Sequence, residues 1–365
     1  MNGVLVVGAG LAGTRCAETL RADGYEGPVT VVGAERTDPY ERPALSKEIL
    51  SGTRTPAEIT LRPPGWWAER SIELLTGVTV EKVDAERRVA VVAGREHAWD
   101  HLVLATGARP RRLHGLPRAA HVLRTMDDAL ALRSELVPGA RLVVIGAGLI
   151  GAEVASGALA LDCDVKLVDA APAPMLAAVG PEIGGELARR WRRLGATLRL
   201  DAHIARSDET ALHFADGTRL EYDVLLVAVG AAPAGELGGA DGEIVTDDCG
   251  RSARPRVYAC GDVAAFGRGR IEHWTAAAGQ GAAVARTILG EPTPYRDVPY
   301  FWSDQFGLRL QMIGDRATAV TTEMEGDDDS FSARYLDDTG HTVAVLLANR
   351  GAQVAAVRRE LAAAA

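Results

Sequence analysis

Short apolar runs recur along the chain, and two of them open segments that repeat one another. Residues 3–35 read GVLVVGAGLAGTRCAETLRADGYEGPVTVVGAE, and residues 141–169 read RLVVIGAGLIGAEVASGALALDCDVKLVD. Each segment passes from a β-branched run to a glycine-rich turn, then to an Ala/Leu-rich stretch and to a second β-branched run that ends in an acid. This order predicts two βαβ units with parallel strands and a helical crossover.

Further apolar runs extend these two units. Residues 102–105 and 224–229 read as buried parallel strands that lead into Thr106-Gly107 and Gly230, respectively. A third short run, Val257–Ala259, precedes Gly261-Asp262 and a helix predicted from about residue 275 to 289. The predicted fold class is therefore α/β, with two Rossmann-like dinucleotide-binding domains.

The pattern changes after residue 290, where short alternating strands replace the βαβ order. Residues 296–365 predict a C-terminal α+β domain. Its acidic run, residues 323–329, is interpreted as a solvated hairpin tip between two strands. The predicted tail elements are strands at 308–313, 317–322, 332–336 and 343–347 and a helix at 353–364.

Charge and composition exclude several classes of protein. The formal net charge of −9 argues against a protein that coats nucleic acid or an anionic membrane. No run approaches the roughly 18 apolar residues of a membrane span, and the N-terminus lacks the basic start of a signal peptide. We therefore expect a cytoplasmic protein with no nucleic-acid or membrane partner. The four cysteines form no CxxC pair and the histidines no ligand spacing, so no metal is expected.

The first repeat carries a GxGxxG motif at Gly8, Gly10 and Gly13. The first glycine permits a tight turn, the second lets the backbone approach a pyrophosphate, and the third lets the helix pack closely on the strand. Glu35 ends the second predicted strand, where an acid can accept hydrogen bonds from ribose hydroxyls. The combination predicts a dinucleotide site.

The second repeat has the same motif at Gly146, Gly148 and Gly151, and Asp169 ends its second strand. An acid at this position favours a free 2′-hydroxyl and repels a 2′-phosphate, and no arginine follows within residues 170–174 to hold that phosphate. This site is predicted to prefer NADH to NADPH. Two such units suggest a flavin and a nicotinamide cofactor, but the residues alone do not say which unit binds which.

The motifs together resemble those of FAD-dependent NADH:ferredoxin reductases of oxygenase systems, which have the fold of glutathione reductase. The resemblance covers essentially the whole chain, and the ERPALSK and FWSDQ segments are its most distinctive parts. The matching segments are residues 8–13, Glu35, 41–47, 105–107, 146–153, 259–263, 272–274 and 301–305. The resemblance implies a discontinuous FAD domain at 1–107 and 231–290, an NAD domain at 108–230 and a C-terminal domain at 291–365.

The resemblance also implies roles for individual residues. Asp262 would hold the ribityl chain of FAD, and the helix that follows Trp274 would direct its N-terminus at the flavin. Lys47 would sit beside flavin N5, pair with Glu153 and act in hydride transfer. Trp274 and Trp302 would flank the ring. The other implied cofactor-binding residues are Arg42, Thr106, Gly107, Gly230 and Gly261.

The cysteine pattern bears on the reaction. Relatives that reduce disulfides or peroxides carry a redox cysteine in the segment that here reads Arg42–Ser46, which has none. The expected reaction is therefore hydride transfer from NADH to FAD, followed by single-electron transfer to a ferredoxin-type iron–sulfur protein that serves an oxygenase or cytochrome P450. Two alternatives share the fold and cofactors: a reductase of a quinone-like or radical small molecule, and a redox-sensing flavoprotein resembling apoptosis-inducing factor.

An iron–sulfur partner raises a question of charge, because ferredoxins are generally acidic and this chain carries −9. Docking would then require a local basic patch. Arg309 and Arg350 in the tail are the candidates for that patch.

Overall fold

The computed structural model describes residues 2–267 and 269–364. It divides into two compact units, each assembled from three segments of the chain. The first unit comprises Met1–Glu41, Pro56–Arg109 and Ala232–Pro299, and the second comprises Arg42–Thr55, Pro110–Ala231 and Tyr300–Ala365. The three-domain division expected from the sequence stays a prediction.

The elements follow the order expected for two βαβ units and an antiparallel tail. The strands are β1 (Val4–Val7), β2 (Val29–Val32), β3 (Ile72–Leu75), β4 (Val80–Asp84), β5 (Val89–Val92), β6 (Arg95–Ala98), β7 (His101–Leu104), β8 (Ala108–Pro110), β9 (Arg141–Ile145), β10 (Asp164–Val168), β11 (Thr197–Arg199), β12 (Ile204–Ser207), β13 (Ala211–Phe214), β14 (Arg219–Glu221), β15 (Val224–Val227), β16 (Ala231–Pro233), β17 (Ile244–Thr246), β18 (Val257–Ala259), β19 (Ala264–Phe266), β20 (Tyr300–Gln305), β21 (Leu308–Gly314), β22 (Thr321–Gly326), β23 (Phe331–Leu336) and β24 (Thr342–Ala348). The helices are α1 (Leu11–Ala22), α2 (Trp66–Glu69), α3 (Met126–Glu135), α4 (Leu149–Ala160), α5 (Leu176–Arg193), α6 (Trp274–Ile288) and α7 (Val354–Ala364).

The first unit is built on a parallel sheet of five strands in the order β18-β7-β1-β2-β3. The inner strands β1 and β7 are buried on both faces, which explains their continuous Val/Leu sequences. Helices α1 and α6 pack against each other, and a Cβ at Gly281 would come within 2.3 Å of the Ala12 carbonyl oxygen. The sheet and these helices enclose the core of the unit.

The second unit contains a parallel sheet of four strands in the order β11-β10-β9-β15. A π-helical turn at Leu45–Ile49 packs against α4 of this unit. Turns of this kind interrupt regular hydrogen bonding and are frequent at functional sites. The turn carries Lys47, the lysine of the ERPALSK segment.

The tail forms an antiparallel sheet in the order β20-β21-β24-β23-β22, against which α7 packs. The interpretation of residues 323–329 as a hairpin tip is only half right. Glu323 and Glu325 belong to β22, which pairs with β23, and the turn comprises Asp327–Ser330. β22 is an edge strand, where exposed carboxylates oppose pairing with another chain.

The predicted α/β fold class is confirmed, including the C-terminal reductase domain. Both repeats fold as strand, helix and parallel strand, although β2 ends three residues before Glu35 and β10 ends one residue before Asp169. Within the tail, a 3₁₀ turn at Arg316–Thr318 occupies the start of the strand predicted at 317–322. Helices α3 and α5 had no counterpart among the predicted elements.

Candidate functional site

The glycine-rich turn of the first unit brings helix α1 directly against the end of β1. A Cβ at Gly13 would lie 2.0 Å from the Gly8 carbonyl oxygen, and one at Gly8 would lie 2.1 Å from the Ala105 carbonyl oxygen. Gly10 instead faces open space, with no atom within 4 Å of the position of a Cβ, and no side chain caps α1. The turn therefore offers a bare helix N-terminus that a phosphate can approach.

The turn of the second unit repeats this geometry at α4. A Cβ at Gly151 would lie 2.0 Å from the Gly146 carbonyl oxygen, whereas Gly148 has no atom within 4 Å and α4 has no side-chain cap. Each unit thus contains one cradle that a Cβ at its second glycine would fill. This arrangement fits a dinucleotide pyrophosphate in both units.

Asp169 directly follows β10 and Glu35 lies three residues after β2, and both carboxylates are held in place. Tyr40 Oη donates a hydrogen bond of 2.5 Å to Glu35 Oε2. Asp169 Oδ2 accepts 2.6 Å from the Ala147 backbone N–H, which belongs to the glycine-rich turn, and Oδ1 accepts 2.8 Å from Ala171. Asp169 is therefore fixed beside the turn whose ligand it is expected to select.

The remaining predicted cofactor residues of the first unit lie at strand ends and a helix start. Thr106 Oγ1 donates 2.6 Å to the Ala234 carbonyl oxygen, and Gly107 accepts 3.0 Å from the Ala234 N–H. Gly261 and Asp262 lie two and three residues after the end of β18, and the Gly261 N–H donates 2.8 Å to the buried Gln280 Oε1. Trp274 is the first residue of α6.

The second unit contains the other predicted residues: Gly230, Arg42, Lys47 and Trp302. Gly230 lies three residues after β15 at φ +95° and accepts 2.9 Å from the Arg111 N–H. The Arg42 guanidinium donates to the Arg124 carbonyl oxygen. On β20, Trp302 stacks with Tyr300 at 6.1 Å between ring centroids.

Lys47 and Glu153 form a close ion pair within the second unit. Lys47 Nζ lies 2.7 Å from Glu153 Oε2, and the two side chains are 16% and 6% exposed. Lys47 Nζ also donates 3.2 Å to the Pro43 carbonyl oxygen. The pairing that the resemblance implies is therefore present, and it joins the π-helical turn to α4. A pair this buried loses much hydration and needs additional hydrogen bonds to be stable.

Sequence reasoning missed two serines that contact the same carboxylate. Ser46 Oγ donates 2.5 Å to Glu153 Oε2, and Ser303 Oγ donates 2.7 Å to Glu153 Oε1. Both belong to segments that carry the family resemblance, the ERPALSK and FWSDQ segments. The two serines could be found from the motifs that contain them, but the sequence does not show that their hydrogen-bond partner is Glu153.

The two candidate docking arginines are already engaged. Arg309 is exposed and its Nη1 lies 3.5 Å from Asp304 Oδ1. Arg350 is half-buried and donates 3.2 Å to Ser332 Oγ and 3.3 Å to the Ser330 carbonyl oxygen. Their positive charge is therefore partly offset by neighbouring oxygens.

The cysteines are four buried free thiols. Burial raises the pKa of Cys16 well above its usual value, with a further increase from Cys260, and burial raises the pKa of Cys260 to about 12. Over residues 2–267 and 269–364, His, Cys, Asp and Glu side chains form no group of three that could hold a metal ion. Over the same ranges, every helix is too short or too polar to cross a membrane.

Comparison with known proteins agrees with this geometry. Residues 2–281 match the family described as pyridine nucleotide-disulphide oxidoreductase, and residues 300–365 match the one described as reductase C-terminal. The chain is 38% identical to the anthranilate 1,2-dioxygenase system ferredoxin–NAD(+) reductase component of Burkholderia cepacia, over 99% of this chain and 94% of that protein.

Two solved structures are similar over almost the entire chain. Putidaredoxin reductase in its covalent complex with putidaredoxin has a TM-score of 0.94 and 32% identity, covering 98% of this chain and 92% of that one. The ferredoxin reductase for the CYP199A2 system from Rhodopseudomonas palustris has a TM-score of 0.93 and 32% identity, covering 97% and 93%.

The chain therefore belongs to the pyridine nucleotide-disulphide oxidoreductase family, and it is an oxidoreductase. Members of this family and the ferredoxin–NAD(+) reductases use FAD and NAD(H). The resemblance predicted from the sequence is confirmed. The individual site residues stay predictions.

The buried thiols give a first testable prediction. At pH 8 a thiol with a pKa of about 12 is ionised in only about one molecule in ten thousand, and the thiolate is the reactive form. Iodoacetamide should therefore leave Cys16 and Cys260 unmodified in the folded protein and alkylate both in urea, as read by peptide mass spectrometry. Rapid native alkylation of either residue would contradict the assignment of these thiols as inert.

Proposed function

We propose that this chain takes a hydride from NADH onto FAD and passes the electrons singly to a ferredoxin-type iron–sulfur protein that serves an oxygenase or cytochrome P450. The observation that carries the proposal is the presence of two open glycine cradles, one at Gly10 and one at Gly148, each with a fixed strand-end acid. The relatives named as ferredoxin reductase components support the acceptor.

We assign FAD to the cradle of the first unit. The backbone N–H groups at the start of α1 would bind its pyrophosphate, and Glu35, held by Tyr40, would accept from its ribose hydroxyls. Asp262 follows a parallel strand, at the sheet edge where ligands of α/β folds bind. Bound FAD would accept two electrons together and release them one at a time, which a one-electron acceptor requires.

We assign NADH to the cradle of the second unit. The start of α4 would bind the pyrophosphate, and Asp169 would accept from the adenosine ribose while repelling a 2′-phosphate. Lys47 would supply a positive charge that favours hydride transfer, with Glu153 holding its ammonium group. Arg42 and Trp302 are also proposed to serve the cofactors, together with Thr106, Gly107, Gly230, Gly261 and Trp274.

We place this activity in the cytoplasm. All four cysteines are free thiols, the state that a reducing compartment maintains. NADH from central metabolism is also available there as the electron donor.

Turnover with different acceptors tests the proposal directly. The purified protein should reduce a ferredoxin with NADH, and this rate should fall as ionic strength rises from about 0.01 to 0.5 M because salt screens attraction to a charged partner. Reduction of a neutral quinone should not respond to salt. Equal salt responses, or absence of ferredoxin turnover beside rapid quinone turnover, would favour a small-molecule reductase. Negligible turnover with every acceptor would favour a redox sensor.

Substitution of the two open glycines should separate the cofactor sites. Gly10→Ala places a methyl group in an open cradle, so the fold should survive while the affinity for FAD falls at least ~10-fold. Gly148→Ala should retain FAD and raise the KM for NADH by about tenfold.

Gly185→Ala on α5 is the matched control, because its Cβ also meets no atom within 4 Å. FAD absorbance per chain and NADH kinetics measure the three variants. Loss of FAD from Gly148→Ala but not from Gly10→Ala would reverse the assignment of the two sites.

Asp169 should set the preference for NADH. We expect kcat/KM to be at least ~10-fold higher with NADH than with NADPH, since a carboxylate repels the 2′-phosphate. Asp169→Ala should narrow that ratio. It should also raise the KM for NADH, because the N–H groups of Ala147 and Ala171 lose their acceptor. A wild-type protein that prefers NADPH would refute the role of Asp169.

A further inference from the structure

The carboxylate of Glu153 receives hydrogen bonds on both oxygens from three different donors. Ser46 Oγ and Lys47 Nζ both donate to Oε2, at 2.5 and 2.7 Å. Ser303 Oγ donates to Oε1 at 2.7 Å. Glu153 is 6% exposed and Ser303 is completely buried. The two oxygens therefore differ: one accepts from the π-helical turn, and the other accepts from the first strand of the tail.

The hydroxyl of Ser303 is itself oriented by its strand. Gln305 Nε2 donates 3.0 Å to Ser303 Oγ and 3.1 Å to Met175 Sδ. Ser303 and Gln305 are two residues apart on β20, so their side chains lie on the same face of the strand. Because Ser303 Oγ accepts a hydrogen bond from Gln305 Nε2, its own hydroxyl hydrogen is directed at Glu153 Oε1.

The hydrogen bond from Ser303 restrains the Glu153 carboxylate. Ser46 and Lys47 both bind Oε2, whereas Oε1 accepts from Ser303, so Ser303 adds a restraint at the other oxygen of the carboxylate. A buried carboxylate oxygen that loses its donor is unfavourable, and the group will turn to find another. The hydrogen bond from Ser303 opposes that rotation and keeps Oε2 facing Lys47.

We propose that Ser303 is a positioning residue that acts through Glu153 to hold the Lys47 ammonium group in place for flavin reduction by NADH. The hydride-transfer part rests on the proposed function, whereas the effect on Lys47 does not. Through Ser303 on β20, the tail would thus contribute to the reduction of the flavin by NADH.

The chain supplies a matched control on the same two elements. Ser156 lies on α4 about one turn after Glu153, and its Oγ accepts 2.8 Å from the Phe306 N–H just after β20. Ser156→Ala therefore removes a serine hydrogen bond between α4 and the same hairpin without touching Glu153. The Ser156→Ala variant therefore shows the effect of weakening the contact between α4 and the hairpin when the hydrogen bonds of Glu153 are intact.

The first measurement is the chemical reactivity of Lys47 in the FAD-loaded protein. Lys47, Lys82 and Lys166 are the lysines of the chain, and the exposed Lys82 serves as internal reference. Trace acetylation with acetic anhydride, read by peptide mass spectrometry, gives the ratio of Lys47 to Lys82 modification. Ser303→Ala should raise this ratio about fivefold, because a less firmly paired amine is more accessible and reactive. Ser156→Ala and Ser303→Thr, which keeps the hydroxyl, should leave it near the wild-type value.

The second measurement is stopped-flow reduction of the flavin by NADH. Ser303→Ala should slow reduction by about tenfold with the apparent Kd for NADH within about twofold of wild type. Ser303→Thr should restore most of the rate. In a Glu153→Ala background, Ser303→Ala should cause no further loss, since its effect passes through that carboxylate.

The outcomes separate this inference from the proposed function. An unchanged Lys47 labelling ratio in Ser303→Ala, an equal change in Ser156→Ala, or additive losses with Glu153→Ala would overturn the positioning role. Absence of NADH-dependent flavin reduction in the wild type would overturn the proposed function, while the labelling ratio would still decide whether Ser303 holds Lys47.

Discussion

Two contacts between a helix backbone and the turn before it determine most of this architecture. With any side chain at Gly13 or Gly151, the helix would have to move away from the carbonyl oxygens of Gly8 and Gly146, which lie 2.0 Å from the positions of those Cβ atoms. Only this close approach brings the first turns of α1 and α4 to the ends of β1 and β9. Because β2 pairs in parallel with β1 and β10 pairs in parallel with β9, Glu35 and Asp169 each lie at the carboxyl end of their own sheet, beside the glycine-rich turn. One packing constraint, used twice, produces both candidate nucleotide sites.

Helix α4 serves more than the nucleotide cradle. Its sequence, LIGAEVASGALA, contains a single charged residue, Glu153, on an otherwise apolar and small-residue helix. A buried ion pair is weak evidence for stability, because desolvation offsets most of its attraction. The provision of three donors for this carboxylate indicates that the surrounding residues are arranged to hold it in one orientation. The helix that begins at the proposed NADH cradle thus also carries the residue that holds Lys47.

The sequence sufficed to predict the parts of the fold that depend on local patterns. Strand, glycine turn, helix and acid occur in a fixed order, and the steric requirements at Gly8 and Gly146 follow from backbone geometry alone. Helix α5 was missed because Gly180 and Pro181 break its regular pattern. The acidic run was interpreted wrongly because a segment rich in acidic residues has the composition of a loop. Glu323 and Glu325 belong instead to an edge strand, which is recognised only from its pairing with β23. Partners such as Tyr40 for Glu35 and Ser303 for Glu153 depend on tertiary packing, which no local pattern reveals.

Strand β20 has two faces with different contacts. Ser303 and Gln305 are buried on one face, and the first of them reaches the Glu153 carboxylate. Tyr300 and Trp302 alternate with them and stack on each other, with the Arg358 guanidinium of α7 over the Tyr300 ring. Because side chains along a strand alternate, a shift of one residue in the β20–β21 register would exchange the two faces and remove the donor to Oε1. The antiparallel pairing of Tyr300–Gln305 with Leu308–Ile313 therefore fixes the orientation of a carboxylate on a different element. The tail is in this sense part of the support for the Lys47–Glu153 pair, in addition to any surface it offers a protein partner.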